Sequence, residues 1–440
     1  MNHSKKKIII IGAGAAGLMA AAELERYGCK NFLILEAGLA VTRRKCVNLG
    51  HCRQCDSCQI LFGVGGAGLF SDGKMNFSDQ IGGAILNILS KKKYEQFVSH
   101  LIGTYQLTVE YPDKIVKKPI VDALKAVHAI FLKVPQAHLG SENLPQFIES
   151  RFKAILNRVV ESCMVESIEI ENGQFRVLTD KGHYCCRHLI VATGQAGAGF
   201  AMSVARRFGL KILPAPADIG VRVEAHSDVL NAMTEIQWDP KIYFHTEYGN
   251  VRTFCTNPRG FVITEAKNGA VTCNGYAMKN KKSNNTNFAL MTKIMVENPR
   301  AYLINIARTI TEMTNNKLML QKAEDFVNLV KTEKLAKIKP TTSCYSTGNL
   351  SYYLPYLPYQ AIRETLKKIN TVIPQFFEKE SIVYAPEIKL YTNTIEIINE
   401  GFESALNRLY FLGDCCGHIH GLTNAMISAI ACASHIHNSI

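Results

Sequence analysis

The most reactive side chains of this 440-residue chain gather near its two ends and at one point between them. Cys46, Cys52, Cys55 and Cys58 fall within thirteen consecutive residues and run straight into the glycine-rich stretch GVGGAGLFSDGK. Thiolates at this spacing suit an iron–sulfur cluster or a zinc ion, and otherwise remain thiols open to redox chemistry. A cluster would admit single electrons, whereas zinc would only brace a long loop. Near the other end, His418 and His420 follow Cys415 and Cys416. Imidazoles exchange protons near neutral pH, so both are candidate acid–base catalysts. In mid-chain, Arg222, Arg252 and Asn257 are of types that hold a carboxylate or another anion, and Cys255 adds a candidate catalytic thiol.

These groups need elements to position them, and the clearest is at the N-terminus. KIIIIGAGAAGLMAAAELERYGCKNFLILEAG reads as strand, tight turn, helix and second strand. Residues 8–11 form the wholly apolar run of a buried parallel strand. Gly12 permits the sharp turn, Gly14 lets main chain approach a pyrophosphate, and Gly17 lets the helix lie close on the strand. The helix is expected from Ala15 to Tyr27 and the second strand over Phe32–Leu35, ending at Glu36, whose carboxylate can accept from ribose hydroxyls. Ala15, Ala16, Ala37 and Arg44 complete this nucleotide-facing set. In the later loop, Gly65, Gly66, Ala67 and Gly68 can turn N–H groups toward phosphate or ring oxygens, with Ser71 as a further contact and Lys74 as a candidate catalytic cation.

Two further pieces narrow the nucleotide. VESIEIENGQFRVLTDKGHYCCRHLIVATG predicts a three-stranded meander leading to an apolar strand that ends at Ala192, Thr193 and Gly194. RLYFLGDCCGHIHGLTN predicts a short strand, then Gly413 and Asp414, then a helix opening after Gly421 at Leu422, Thr423 and Asn424. In chain order these pieces resemble the glutathione-reductase-type flavoproteins. The resemblance implies FAD, with Asp414 on a ribityl hydroxyl and the helix N-terminus toward the flavin. No second strand–GxGxxG–helix unit is evident, so electrons are expected from the substrate or from an unknown donor. The stretches GVGGAGLFSDGKMNF, PADIGVRVE, RTFCTNPRGFV, TNFAL, PEIKLY and LYFLGD also resemble the FAD-dependent dehydrogenases labelled NAD(FAD)-utilising. That likeness implies a fold and a cofactor but no substrate, and the cysteines and histidines after Asp414 replace a more glycine-rich stretch.

The expected fold is α/β, with a split Rossmann-like FAD domain over 1–80, 137–205 and 395–440. A helical insert is expected over 80–136. A mixed α+β substrate domain is expected over 206–394, with strands first and long helices over 288–338. The expected activity is hydride exchange between flavin and a small anionic or planar substrate. Tyr345, Tyr352, Tyr353, Tyr356 and Tyr359 add weight to a planar one. The formal charge of +13 keeps nucleic acid open as a partner and an RNA-modifying flavoenzyme as an alternative, although the lysines are dispersed. A flavin- and thiol-based redox-responsive binding protein is the other alternative. No apolar run reaches membrane-spanning length, and a cytoplasmic location is expected.

Overall fold

In the computed structural model, which describes residues 4–45, 58–112, 118–267, 269–278 and 281–439, the strand Ser4–Ile11 lies between two parallel neighbours. Phe32–Leu35 flanks it on one side and Gly182–Val191 on the other. Residues 8–11 are at most 5% exposed, as a central parallel strand covered on both faces requires. Gly12 then turns the chain at a φ of +101°, and the helix Ala15–Arg26 begins. A Cβ on Gly17 would sit 1.8 Å from the Gly12 carbonyl oxygen, so the glycine sets how closely helix and strand approach.

The first sheet runs in the order Val159–Val160, Phe32–Leu35, Ser4–Ile11, Gly182–Val191, Gln174–Thr179, Val165–Glu171. The third meander strand and the apolar strand before Ala192 are one ten-residue strand, not two. Its first half pairs antiparallel with the meander, and its second half pairs parallel with Leu409–Phe411. The C-terminal helix Leu422–Ser439 then packs against Ala15–Arg26 through small residues, bringing the two ends of the chain together.

The second sheet has eight strands among the described residues, centred on Ala217–His226, with Asn285–Ile294 and Ile382–Leu390 beside it. Strand alternation gives it two unlike faces. Ile219, Val221, Val223, Val251, Phe288 and Leu290 pack against the helices Pro299–Met313 and Tyr356–Val372. Asp218, Arg222, Arg252, Phe254, Glu387 and Lys389 share the opposite face by register.

Two expectations of helix are corrected. Asn285–Ile294 is a strand, because Phe288 through Met291 are all buried on a sheet covered on both sides. From there to residue 338 the described helices are Pro299–Met313 and the short Ala323–Asn328, with the strand Leu318–Lys322 between them. Within 80–136 the helices are Lys91–Tyr105 and Lys118–Ala126, and the chain breaks at His128 (φ +56°). Ala129–Leu132 then joins the edge of the second sheet. No helix of the described residues is long and apolar enough to cross a membrane.

The glycines of the first turn make separable demands. Gly17→Ala forces helix and strand apart and should cost about 1–3 kcal/mol in urea denaturation. A Cβ on Gly14 would meet only Gly66 Cα, at 3.8 Å, so Gly14→Ala should stay within about 0.5 kcal/mol of the parent.

Candidate functional site

Glu36 is 5% exposed and accepts three main-chain N–H bonds, from Ala13 at 2.7 Å, Gly38 at 2.9 Å and Gly63 at 2.8 Å. The carboxylate expected at a ribose therefore first ties the dinucleotide turn, the strand end and the glycine loop to each other. Its four lone-pair positions leave one for a further donor. Arg44 is a correction: it is 5% exposed and spends its guanidinium on the carbonyls of Gln59, Ile60, Gly63, Val64 and Gly66. Burial lowers its pKa to about 10, with the Glu36 charge opposing that loss, so it stays charged as the organiser of the loop.

The loop so held meets the first turn edge to edge. A Cβ on Gly66 would come within 3.0 Å of Gly14 Cα, and one on Gly68 within 2.7 Å of Leu422 Cδ2. Gly65 sits within the loop at a φ of +91°, and Ala67 is exposed. Ser71 is turned inward, donating to the Gly68 carbonyl at 2.7 Å and accepting from Gly73 N–H at 3.1 Å, so its hydroxyl closes its own turn. Ala192 backs Gly12, while Thr193 Oγ1 donates to the Gly197 carbonyl at 3.0 Å ahead of Gly194.

At the C-terminal side a Cβ on Gly413 would lie 3.2 Å from Ala16 Cβ, which places Asp414 beside the start of the N-terminal helix. Burial raises the Asp414 pKa to about 6, against the opposing effect of the Gly421 N–H. Thr423 and Asn424 open Leu422–Ser439 at 5% and 1% exposure, yet Thr423 Oγ1 and Asn424 Oδ1 have no hydrogen-bond partner among the described residues. The Asn424 amide is anchored on the carbonyls of Ile81 and Gly82, at 3.0 and 2.9 Å. A buried polar atom without a partner costs about 1–3 kcal/mol. Two at one helix N-terminus, beside Leu422 against which the glycine loop packs at Gly68, are what a polar ligand would satisfy. The residues therefore fit the nucleotide cofactor expected of them.

The polar face of the second sheet supplies the other half. Lys74 lies 3.0 Å from Asp239 and 3.6 Å from Asp72, and donates to the Thr256 carbonyl at 3.4 Å. Burial opposes its charge, but the two carboxylates outweigh burial and raise its pKa, so Lys74 is a fixed cation rather than a proton shuttle. Arg222 is a further correction. It is fully buried, forks onto Glu387 at 2.7 and 2.5 Å, and also donates to Asn287 and to the Cys255 carbonyl, so no edge remains for a substrate. The amide nitrogen of Asn257 is likewise engaged, donating to the Cys255 carbonyl at 2.8 Å and to Asn287 Oδ1 at 3.3 Å. Cys255 stays half-buried on the bulge at a φ of +43°, within electrostatic reach of Lys74, Arg222 and Lys389.

Arg252 differs from Arg222. Its Nη2 bonds to Asp218 and donates to the Tyr391 hydroxyl at 2.8 Å, and its side chain keeps 24% exposure. The Tyr391 hydroxyl donates to the same Asp218 oxygen at 2.8 Å, and its ring lies 4.9 Å from that of His420. Burial and the Arg252 charge lower the His420 pKa to about 4, so this imidazole is neutral at physiological pH. His418 is corrected: its Nε2 bonds the Ile395 carbonyl at 2.8 Å, a structural role on the far side of the turn. Asp218, Asp239 and Tyr391 were missed by sequence reasoning. The alternation of PADIGVRVE, which puts Asp218 on the Arg222 face, was the available signal. Cys46, Cys52 and Cys55 lie outside the described residues, and Cys58 is a half-buried free thiol. No group of three or more metal-ligating side chains occurs among the described residues.

Residues 216–390 match the family described as FAD-dependent protein, C-terminal domain-like. An uncharacterized protein of Clostridium beijerinckii is 23% identical over 466 residues, covering 98% of this chain and 81% of its own. Among solved structures, a salicylate hydroxylase substrate complex matches 99% of this chain and 80% of its own, at 10% identity and a TM-score of 0.45. Glycine oxidase from Bacillus cereus matches 99% and 96%, at 13% identity and a TM-score of 0.42. The rebeccamycin biosynthetic enzyme REBC in its substrate-free form matches 99% of this chain, which spans 63% of that one, at 10% identity and a TM-score of 0.41.

The Arg222–Glu387 pair is a core element and should behave as one. Arg222→Met removes both guanidinium bonds to the buried Glu387 and leaves it Lys389 alone at 3.1 Å, so it should cost about 3 kcal/mol or more in chemical denaturation, with part of it restored when Glu387→Leu is added. A single variant as stable as the parent would refute the buried-pair assignment.

Proposed function

We propose that the chain binds FAD and uses it for oxidation or reduction of an organic substrate held against the polar face of the second sheet. The observation that carries this reading is the pair of buried, unpartnered atoms, Thr423 Oγ1 and Asn424 Oδ1, at the first turn of Leu422–Ser439. Gly12, Gly14 and Gly17 would shape the pyrophosphate turn, the free position on Glu36 would take a ribose hydroxyl, and Asp414 would take a ribityl hydroxyl. The N–H groups of Leu422, Thr423 and Asn424 would face the flavin, where a helix N-terminus carries roughly half a positive charge. Bound FAD supplies a hydride acceptor or donor. The match of residues 216–390 to an FAD-dependent family description supports this cofactor.

On the substrate side, Arg252 is the cation with hydrogen-bonding capacity to spare, and it orients an anionic substrate. His420 is neutral and adjacent, so it is the base this arrangement offers. Lys74 holds a fixed positive charge between the glycine loop and the second sheet. Cys255 is a thiol within electrostatic reach of Lys74, and its place on the sheet face makes it a contact for substrate.

Gly14→Val tests the nucleotide turn: the side chain fills the gap while leaving the fold, so the purified protein should be colourless yet fully folded. Retention of the parent flavin content would remove the assignment.

Asp414 tests it through pH. Its folded pKa, about 6, lies above the ordinary value near 4, so the unfolded chain loses that proton first. Stability of the flavin-free protein should therefore fall as pH rises from about 4 through about 6. A hydroxyl donated to the carboxylate favours its ionised form, so flavin affinity should rise over the same window. Asp414→Asn should leave the flavin-free protein no less stable than the parent at neutral pH. It should also weaken flavin binding about tenfold or more and flatten its pH dependence. Thermal melts and flavin titrations on either side of about pH 6 read both effects, and unweakened binding by the variant would take Asp414 out of the site.

A further inference from the structure

We infer that Asp218 is the positioning residue of the substrate side, holding Arg252 and Tyr391 so that the guanidinium and the His420 imidazole keep one arrangement. The inference rests on the reading of Arg252 as the anion-binding cation and His420 as the base.

Asp218 lies in Ala217–His226 and is fully buried. Its partners come from elsewhere in the chain, Arg252 from Gly249–Asn257 and Tyr391 from the position after Ile382–Leu390. Three hydrogen bonds close a triangle. Arg252 Nη2 donates to Asp218 Oδ2 and, at 2.8 Å, to the Tyr391 hydroxyl, which donates to the same Asp218 oxygen at 2.8 Å. Both protons of Nη2 are thereby spent. The Phe254 ring adds a further contact, its centroid 5.1 Å from the guanidinium carbon. The guanidinium cannot turn on its stem without breaking these bonds. Nε and Nη1 make no hydrogen bond among the described residues and keep accessible surface, so three N–H groups stay open in a set orientation. A cation ordered before its ligand arrives loses less entropy on binding.

The same triangle reaches His420. The Tyr391 ring lies 4.9 Å from the imidazole, so one side chain spans the cation and the base. The His420 main-chain N–H is tied to the Gly82 carbonyl at 2.9 Å, which fixes the backbone beneath the ring. The charged groups acting on His420 are Arg252 and Asp218, with opposite signs: after burial, Arg252 lowers its pKa and Asp218 raises it. Asp218 thus places Arg252 by geometry and offsets it by charge. The two effects are separable, because Asp218 Oδ1 has no partner. An asparagine can keep its carbonyl in the triangle and put its amide at that position.

NMR of the full chain with isotope-labelled arginine and histidine tests the inference, with acetate as the anion probe. In the parent, the Arg252 Nη2 protons should exchange with water about tenfold or more slowly than those of the exposed Arg187. Asp218→Asn should keep that protection, whereas Asp218→Ala should lose it. Tyr391→Phe, which retains the ring against His420, should lose part of it and provides a second route where the alanine variant does not fold. Asp218→Asn should lower the His420 titration midpoint, because a negative charge has gone, and Arg252→Gln should raise it. A merely structural residue would move the thermal melt but not these midpoints. Asp218→Asn should also bind acetate about threefold or more tightly, read at the Arg252 Nε signal, since the guanidinium charge is no longer offset. The inference is overturned by unprotected Arg252 protons in the parent or by protection that survives Tyr391→Phe undiminished. A His420 midpoint unmoved by Asp218→Asn, or acetate binding that this variant fails to strengthen, overturns it equally. No acetate response at Arg252 in any of these proteins, with exchange and midpoints as expected, counts against the anion-binding reading alone. Acetate binding at an unprotected Arg252 counts against Asp218 alone.

Discussion

Asp239 is fully buried and holds Lys74 at 3.0 Å, Lys241 at 2.5 Å and the Thr256 N–H at 2.9 Å. Burial opposes its charge, yet the two ammonium groups outweigh burial and keep its pKa low. Lys74 ends the glycine-rich loop, whereas Lys241 and Thr256 lie in strands of the second sheet and Asp239 sits two residues before the first of them, so this one carboxylate couples the loop to the sheet. The loop's other end answers to the first sheet through Glu36 and Arg44. Its geometry is thus set from both sides by charges that cannot leave without stranding a partner, a loss typically worth 3–5 kcal/mol. A loop so constrained can keep its glycine N–H groups at fixed positions without relying on a ligand to order them.

The polar face of the second sheet shows how a site can be rigid and still receptive. Arg222 and Lys389 are committed to Glu387, and Lys74 and Lys241 to Asp239. Each commitment satisfies a buried charge and removes a competitor for an incoming anion. Arg252 shares Asp218 with Tyr391 and so keeps part of its fork unspent. Among the cations named on this face, Arg252 is thus the one left incompletely paired.

Legibility in the sequence tracked the range of the physics involved. Gly12 and Gly17 could be assigned from spacing alone, because a turn and the helix after it are local, and the 1.8 Å approach at Gly17 is a steric fact within the segment Gly12–Gly17. Arg222 and Arg252 could not be told apart, since both lie on the same face of alternating strands. What separates them is Glu387, 165 residues beyond Arg222. His418 and His420 differ for the same reason, one captured by Ile395 and the other by Tyr391. The 288–294 run was misread as helix because a strand buried on both faces loses its alternation and becomes simply apolar.

The candidate cofactor site also has an energetic signature that no local pattern contains. It is assembled from the two ends of the chain, where Ala16, Gly413 and the small residues of the C-terminal helix allow the helices to close on each other. That closure brings in a carboxyl whose pKa is raised to about 6 and two buried polar atoms without partners. Each of these is a cost to the closed chain, and nothing in the packing of the described residues repays it. Proteins carry such local conflict where a ligand resolves it. A group that donates to Asp414 and bonds Thr423 and Asn424 would turn three costs into favourable contacts, and by mass action it would stabilise the folded chain in proportion to its affinity. Binding at this point and closure of the fold are then linked equilibria.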